Sequence, residues 1–361
     1  MRCNADQQEK IITSQQMDVA FKWLCQQRKH YPTNSDVWHF RANWLKERPE
    51  LLMLINSGDY CFSPMQRITN ANGKAIHLWC SCDAITLKCL AMAIQGQLTL
   101  SKQCTHVKGH GGLKQAVKTI QQQLPQYQFV CKTDVKGYYE SIDQYLLYEL
   151  IAKQISSNRL ERYLYQVIHR TVESGGNYRD ISTGISRGCP LSPLLGALYL
   201  KQLDDYFKHK DVYYVRYMDD ILILSKTRWH NRKAIKAMNQ IFNQLKLKQH
   251  PDKTFMGRIE RGFDFLGYHF SPEPLQLAKI TVRKHVERYS RLYEQLKRQK
   301  ANTKDGVNAF YAGRIKKANS NESALVLEQY VKRWQCWCTA GLGITSLIYD
   351  VKDLGPQVLS S

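Results

Sequence analysis

The chain of 361 residues is long enough to bury a sizeable core in two or three compact units. Its formal net charge of +21 indicates a phosphate-rich partner, because a basic surface of this size attracts nucleic acid. No run approaches the roughly 20 apolar residues that span a bilayer, so we expect neither a membrane-spanning segment nor a membrane partner. The N-terminus lacks the apolar segment of a signal peptide, and an odd count of 11 cysteines favours free thiols. We therefore expect a cytoplasmic protein.

Residues 1–58 have a helical pattern that is rich in aromatic side chains. Phe40 and Trp44 lie one helical turn apart, which favours packing in a core. A platform on which RNA bases stack is the alternative that this pattern leaves open.

The next segment, residues 59–104, contains a strong signal for a β-hairpin. The pair Asn72-Gly73 is typical of a two-residue hairpin turn, because both positions tolerate a positive φ. The basic residues Arg67 and Lys74 lie close to this turn in the sequence.

A strand is predicted over residues 128–135, and it ends near Asp134. Ser141 resembles a helix N-cap, with Gln144 three residues later as in a capping box. This arrangement places the carboxylate of Asp134 at a strand end, just before a turn and a helix.

A glycine-punctuated loop over residues 184–193 leads into a long apolar helix. Gly184 and Gly188 have no Cβ atom, so the backbone of this loop can approach a ligand closely. Arg187 adds a positive charge to the same loop.

The segment from residue 212 to residue 224 predicts two strands joined by a tight turn that carries Asp219 and Asp220. Two ionised carboxylates at such a turn repel each other and are costly to desolvate unless a cation lies between them. Carboxylate oxygens are preferred ligands of Mg²⁺, and Mn²⁺ is an alternative. We therefore predict a divalent metal site at this turn, with Asp134 as its third carboxylate.

The C-terminal part predicts a small basic helical region. Apolar residues at helical spacing over residues 282–296 indicate an amphipathic helix, with charged pairs on its polar face. A second helix is predicted over residues 323–338.

Taken in order, these segments resemble the motifs of bacterial reverse transcriptases of the group II intron-like and retron-like branch. Asp134 matches the first catalytic aspartate of the family, and the sequence Tyr-Met-Asp-Asp at residues 217–220 matches the second motif. The other matches are the glycine loop at residues 184–193, the lysine-bearing motif at residues 250–254 and the primer-grip motif at residues 263–270. Five motifs in this order make the resemblance specific over about residues 60–270.

The glycine loop departs from the family pattern at three positions. Ser186 replaces the usual proline, Arg187 the usual glutamine, and Cys189 the usual glycine. Because this loop packs on the templating base and the incoming nucleotide in the family, the resemblance implies unusual template handling here.

The resemblance implies an α+β right-hand polymerase with fingers, a palm built on an antiparallel sheet, and a small helical thumb. The implied division is a helical N-terminal extension at residues 1–58, fingers and palm at residues 59–270, and a basic thumb at residues 271–361.

The resemblance also implies the role of each site residue. Asp134 and Asp219 would bridge two Mg²⁺ ions with support from Asp220, and Lys253 would be the general acid for pyrophosphate. Tyr139, five residues after Asp134, matches the steric gate that selects deoxynucleotides. Nucleotide contacts are implied for Arg67, Lys74, Arg187 and Gly188, and primer contacts for Phe265, Leu266 and Gly267.

The implied function is RNA-directed DNA synthesis from dNTPs, with an RNA template and an RNA/DNA duplex as partners. The template is expected to be a dedicated structured non-coding RNA, and anti-phage defence is one role left open. The alternatives are a polymerase that makes RNA or works without a template, and a maturase-like RNA-binding protein.

Overall fold

The structure is a computed structural model that describes residues 10–69, 73, 75–304 and 309–342. The chain folds into two compact units, each assembled from separate stretches of sequence. Unit 1 comprises residues 1–110, 133–223 and 232–254, and unit 2 comprises residues 111–132, 224–231 and 255–361. The division into an N-terminal extension, a fingers and palm region and a thumb, with boundaries at residues 58 and 270, stays a prediction.

The described residues form α-helices and short β-strands. The helices are, in chain order, α1 (Ser14–Gln27), α2 (Asp36–Ala42), α3 (Trp44–Ser57), α4 (Ser81–Gln95), α5 (Gly112–Gln123), α6 (Tyr138–Ser141), α7 (Gln144–Ala152), α8 (Asn158–Ile168), α9 (Ser192–Tyr199), α10 (Lys201–Phe207), α11 (Arg228–Gln244), α12 (Lys279–Lys304) and α13 (Ala309–Leu342). The strands are β1 (Met65–Thr69), β2 (Ala75–Leu78), β3 (Phe129–Asp134), β4 (Thr171–Ser174), β5 (Asn177–Asp180), β6 (Tyr213–Tyr217), β7 (Asp220–Ser225), β8 (Phe255–Arg258), β9 (Phe263–Phe265), β10 (Tyr268–Phe270) and β11 (Gln276–Leu277). No helix in the described ranges combines the length and apolar character needed to cross a membrane.

Within the described residues the strands form sheets with the orders β2-β1-β4-β5, β6-β7-β3-β8 and β11-β10-β9. Most of the pairs are antiparallel, whereas β1 and β4 are parallel. The predicted α+β class is confirmed. The predicted hairpin is also present as β1 and β2, although residues 70–72 at its turn and Lys74 lie outside the described residues.

The strands predicted around the aspartates are confirmed as β3, β6 and β7. The predicted N-cap at Ser141 is wrong, because Ser141 is the last residue of α6 and its hydroxyl donates back to the carbonyls of Lys136 and Gly137. Asp143 caps α7 instead, since its carboxylate accepts a hydrogen bond from the Leu146 N–H at 3.0 Å.

Helix α9 lies in the core of unit 1, with almost every residue buried. Its sequence is apolar on all sides, which is typical of a helix that is surrounded by protein. Pro193 is tolerated in the first turn, where a backbone N–H would have no helical partner.

A fully buried ion pair joins α10 to β6 in unit 1. Both carboxylate oxygens of Asp204 accept from the Arg216 guanidinium, at 2.8 Å from Nε and 2.5 Å from Nη2, and neither side chain is exposed. The Tyr214 hydroxyl donates to the same carboxylate at 2.6 Å. Burial alone would lower the pKa of Arg216, but the Asp204 charge outweighs it and keeps the arginine protonated.

The helices predicted at residues 282–296 and 323–338 lie within α12 and α13, which pack together in unit 2. His285 of α12 is 3% exposed and stacks on Trp334 of α13 with 3.6 Å between ring centroids. Its Nδ1 lies 2.9 Å from the Tyr330 hydroxyl. Burial lowers the pKa of His285 to about 4, so the ring is neutral at neutral pH.

We predict that this helix pair loses stability as the pH falls from 6.5 towards about 4. In that window the unfolded chain binds a proton at His285 that the folded chain does not, so acid favours unfolding. His285→Phe keeps a ring on Trp334 but cannot titrate, so its melting temperature should fall less with pH. Thermal unfolding of both proteins between pH 7 and pH 4.5 measures the difference, and parallel pH profiles would contradict the prediction.

Candidate active site

Asp134 is the buried carboxylate at the C-terminal end of β3 in unit 1, with 4% exposure. Lys253 forms a close ion pair with it, while the lysine side chain itself is 58% exposed. The backbone N–H of His250 donates to the Asp134 carbonyl at 2.7 Å, which holds the lysine segment against the strand end. The hydrogen bond to Asp134 raises the pKa of Lys253, so its ammonium remains charged.

Asp219 lies in the turn between β6 and β7, and Asp220 is the first residue of β7. β7 neighbours β3 in the sheet, which brings the Asp219 side chain within hydrogen-bonding reach of Asp134. Burial raises the pKa of Asp219 well above its ordinary value, and the hydrogen bond and charge of Asp134 raise it further, with a smaller effect from Asp220. The structure therefore places the Asp219 carboxyl group where burial and the nearby Asp134 both oppose its negative charge.

This donor set fits a divalent cation. Hard carboxylate oxygens suit Mg²⁺, and the ion pair with the Lys253 ammonium shows that positive charge is favourable beside Asp134. Among the described residues, no group of three or more His, Cys, Asp or Glu side chains is already arranged as a metal-ligand set. The assignment of Asp134, Asp219 and Asp220 as metal ligands stays a prediction.

Tyr139 lies on α6 close to these carboxylates. Burial raises its pKa to about 12, and the Asp219 charge adds to that effect. The rings of Tyr138 and Tyr139 both pack on α9 at Gly196, where a Cβ atom would lie 3.2 Å from each ring. A Cβ atom at this position would require both rings to shift by a few tenths of an ångström, so Gly196 allows the two tyrosines to pack closely on α9.

The glycine loop is fixed to the residues around Tyr139. The Ile185 N–H donates to the Tyr139 carbonyl at 2.7 Å, and Gly184 N–H donates to the Ile142 carbonyl at 2.8 Å. Gly184 has a φ of +71°, and a Cβ atom there would lie 2.6 Å from the Tyr139 carbonyl oxygen. Arg170, which is buried, donates to the Gly184 carbonyl at 2.8 Å from the opposite side.

The remaining loop positions divide into buried and exposed residues. Ser186 is buried and its hydroxyl accepts from the Trp79 indole at 3.1 Å, a hydrogen bond that proline could not make. Cys189 is buried too, and burial raises the pKa of its thiol to about 11. Arg187 is exposed and lies 3.9 Å from Glu140, whereas Gly188 has a φ of +80° and open space around it.

Arg67 is exposed on β1, directly opposite His77 on β2. Burial lowers the pKa of His77, and the charges of Arg170, Arg67 and Arg179 lower it further, so three arginines lie near this imidazole. Sequence reasoning missed Arg170 and Arg179. The Gly175-Gly176 pair that separates β4 from β5 was the available signal for the hairpin that carries Arg179.

The predicted primer-contact residues lie in unit 2, in the turn between β9 and β10. Leu266 and Gly267 both have a positive φ, of 49° and 87°. Phe265 is 2% exposed, so its ring belongs to the core of the hairpin. Their role towards a primer stays a prediction.

Comparisons with known proteins match this chain to one family model and to two bacterial proteins. The family model described as reverse transcriptase (RNA-dependent DNA polymerase) matches residues 70–270. Protein YkfC of Escherichia coli strain K12 is 25% identical over 270 residues, which cover 61% of this chain and 69% of YkfC. The group II intron-encoded protein LtrA of Lactococcus lactis subsp. cremoris is 29% identical over 91 residues, 25% of this chain but only 15% of LtrA.

Among solved structures, apo telomerase from Candida tropicalis, truncated from its C-terminal domain, superposes with a TM-score of 0.48 at 14% sequence identity. The match covers 60% of this chain and 55% of the telomerase chain.

We predict that Gly184→Ala destabilises the protein more than Gly188→Ala does. Both glycines have a positive φ, so each alanine costs about 1–2 kcal/mol of backbone strain. Only the alanine at position 184 meets backbone atoms, which adds roughly 1–3 kcal/mol of overpacking. Urea unfolding of the two variants measures this difference, and equal losses would show that the close contact with Tyr139 does not matter for stability.

Proposed function

This chain belongs to the reverse transcriptase family, and from that premise we propose that it extends a primer with dNTPs on an RNA template through Asp134 and Asp219. The observation that carries the proposal is the pairing of these two carboxylates, which lie together at the ends of neighbouring strands. The predicted fold class, an α+β right-hand polymerase, is the fold of this family.

Asp134, Asp219 and Asp220 would hold two Mg²⁺ ions. When bound, the ions would lower the pKa of the primer 3′-hydroxyl and stabilise the pyrophosphate leaving group. The side chains around them support this assignment, because burial and mutual repulsion make the two aspartates a site that favours positive charge.

Lys253 supplies a proton to the leaving pyrophosphate in this proposal. Its ammonium is charged and mostly exposed, so a triphosphate can reach it from solvent. Its ion pair with Asp134 places the proton donor beside the reacting groups.

Tyr139 selects deoxynucleotides in this proposal. Its ring is held by α9 at Gly196, and its backbone carbonyl is held by the glycine loop at Ile185. A ring that packs on α9, on a backbone held by the glycine loop, would exclude a ribose 2′-hydroxyl sterically and so favour dNTPs.

The exposed basic residues bind the polyanionic substrates in this proposal. Arg67 on β1 and Arg179 on β5 are exposed near His77 on one sheet, and the exposed Arg187 lies on the loop next to Tyr139. Positive charge at these places suits the triphosphate and the phosphates of an RNA template or an RNA/DNA duplex.

We further propose that the template is a dedicated structured RNA in the cytoplasm, with anti-phage defence as one biological role. The net charge of +21 supports a large RNA partner. Sequencing the nucleic acids that co-purify with active protein tests this step, and active protein that carries no RNA would count against a dedicated template.

We predict that Asp219→Asn lowers primer extension on primed poly(rA) by roughly 10³-fold or more, since the amide cannot supply the charge that holds the metals. Asp59→Asn, which neutralises an exposed aspartate of the same unit, is the matched control and should retain activity. Incorporation of dTTP and of UTP is measured in parallel. A wild-type preference for UTP would exclude the DNA polymerase, and full primer extension by Asp219→Asn would remove Asp219 from the catalytic site. A wild-type protein that extends no primer, with a biological activity that survives the loss of Asp219, would support a protein that only binds RNA.

We predict that Tyr139→Ala raises UTP incorporation relative to dTTP by about tenfold or more, because the space for a 2′-hydroxyl opens. Tyr139→Phe keeps the ring and should retain the discrimination of the wild type. The ratio of kcat/KM for the two nucleotides is the measurement. An unchanged ratio in Tyr139→Ala would remove Tyr139 as the gate.

A further inference from the structure

Met218 precedes the catalytic aspartate in a strained conformation, with a φ of +55° that side chains other than glycine seldom adopt. Such a conformation costs about 1–2 kcal/mol and persists only where the surroundings hold it. Both backbone groups of Met218 are held. Its N–H donates to Nδ1 of His106 at 3.0 Å, and its carbonyl accepts from Nη1 of Arg216 at 2.8 Å.

His106 is itself fixed by its neighbours. Its other nitrogen, Nε2, lies 3.0 Å from the Pro193 carbonyl at the start of α9. Because the Met218 N–H can only donate and the Pro193 carbonyl can only accept, the ring must be neutral with its hydrogen on Nε2. The loop that carries His106 is tied to β6, since Thr105 N–H donates to the Arg216 carbonyl at 2.8 Å.

Arg216, like His106, contacts both the backbone of Met218 and helix α9. Asp204 orients its guanidinium, and Nη2 donates to the Ala197 carbonyl of α9 at 3.1 Å. His106 and Arg216 therefore join the two peptide groups that flank Met218 to α9, His106 through the Met218 N–H and Arg216 through the Met218 carbonyl. Helix α9 also packs closely against the Tyr139 ring at Gly196.

We propose that His106 and Arg216 form a clamp on the two peptide groups that flank Met218, and that His106 is a positioning residue that holds Asp219 in its catalytic geometry. This inference rests on the proposed polymerase function. Arg216 is also needed to neutralise buried Asp204, so its loss would unfold the site. His106 carries no such charge, which makes it the residue through which the clamp can be tested.

His106→Ala removes the acceptor for the Met218 N–H. We expect kcat for primer extension to fall about 10- to 100-fold, as for a small displacement of a reacting group, while the affinity for primed template is unchanged. His106→Asn places an acceptor near the Nδ1 position and should recover most of kcat. His106→Gln places its polar group near the Nε2 position and should not.

His110→Ala is the matched control, because His110 lies on the same loop and its Nδ1 is 3.2 Å from the Cys104 carbonyl. A second measurement does not depend on catalysis. Hydrogen–deuterium exchange in peptides that span residues 213–220 should be faster in His106→Ala than in the wild type or in His110→Ala.

Equal activity of the Asn and Gln variants, or wild-type exchange at the turn in His106→Ala, would overturn the clamp. Should His106→Ala fail to fold, the comparison of Asn with Gln still decides between the outcomes. A wild-type protein that extends no primer, yet exchanges as expected in each variant, would instead count against the proposed function alone.

Discussion

The buried ion pair between Arg216 and Asp204 is the interaction on which the rest of unit 1 depends. Two desolvated charges are tolerated only because Asp204 accepts from the guanidinium and the Tyr214 hydroxyl, so that neither group lacks a partner. Nη1 and Nη2 of Arg216 also donate to the Met218 and Ala197 carbonyls. The ion pair thus also connects the turn that carries Asp219 to helix α9.

Much of the fold was accessible from local patterns. Alternating β-branched and aromatic residues predicted β3, β6 and β7, and Asn72-Gly73 predicted the hairpin of β1 and β2. The sequence predicted Ser141 as the N-cap of α7, whereas the structure has Asp143 there. Serine and aspartate are both favoured N-cap residues, and these two lie only two positions apart. The short helix α6, which takes up Ser141, is what decides between them, and it has no periodic pattern of its own.

The sequence predicted those residues of the candidate site that belong to short motifs. It did not predict contacts between segments that are distant in the sequence. Asp134, Asp219 and Lys253 were identifiable by motif, and the structure brings them together. His106 is 112 positions from Met218, and its loop carries no pattern that indicates a contact with the turn. Such contacts follow from the packing of the whole unit, which short-range spacing does not encode.

The ion pair between Lys253 and Asp134 has a consequence for how the proposed enzyme would respond to its metal. The ammonium already occupies one oxygen of a carboxylate that Mg²⁺ would need, so lysine and ion compete for the same ligand. The affinity for Mg²⁺ would then reflect how much more favourable its contact with Asp134 is than the contact between Lys253 and Asp134. While the ion pair persists, one oxygen of Asp134 is not free to hold an ion, and substrate phosphates that attract the Lys253 ammonium would free that oxygen.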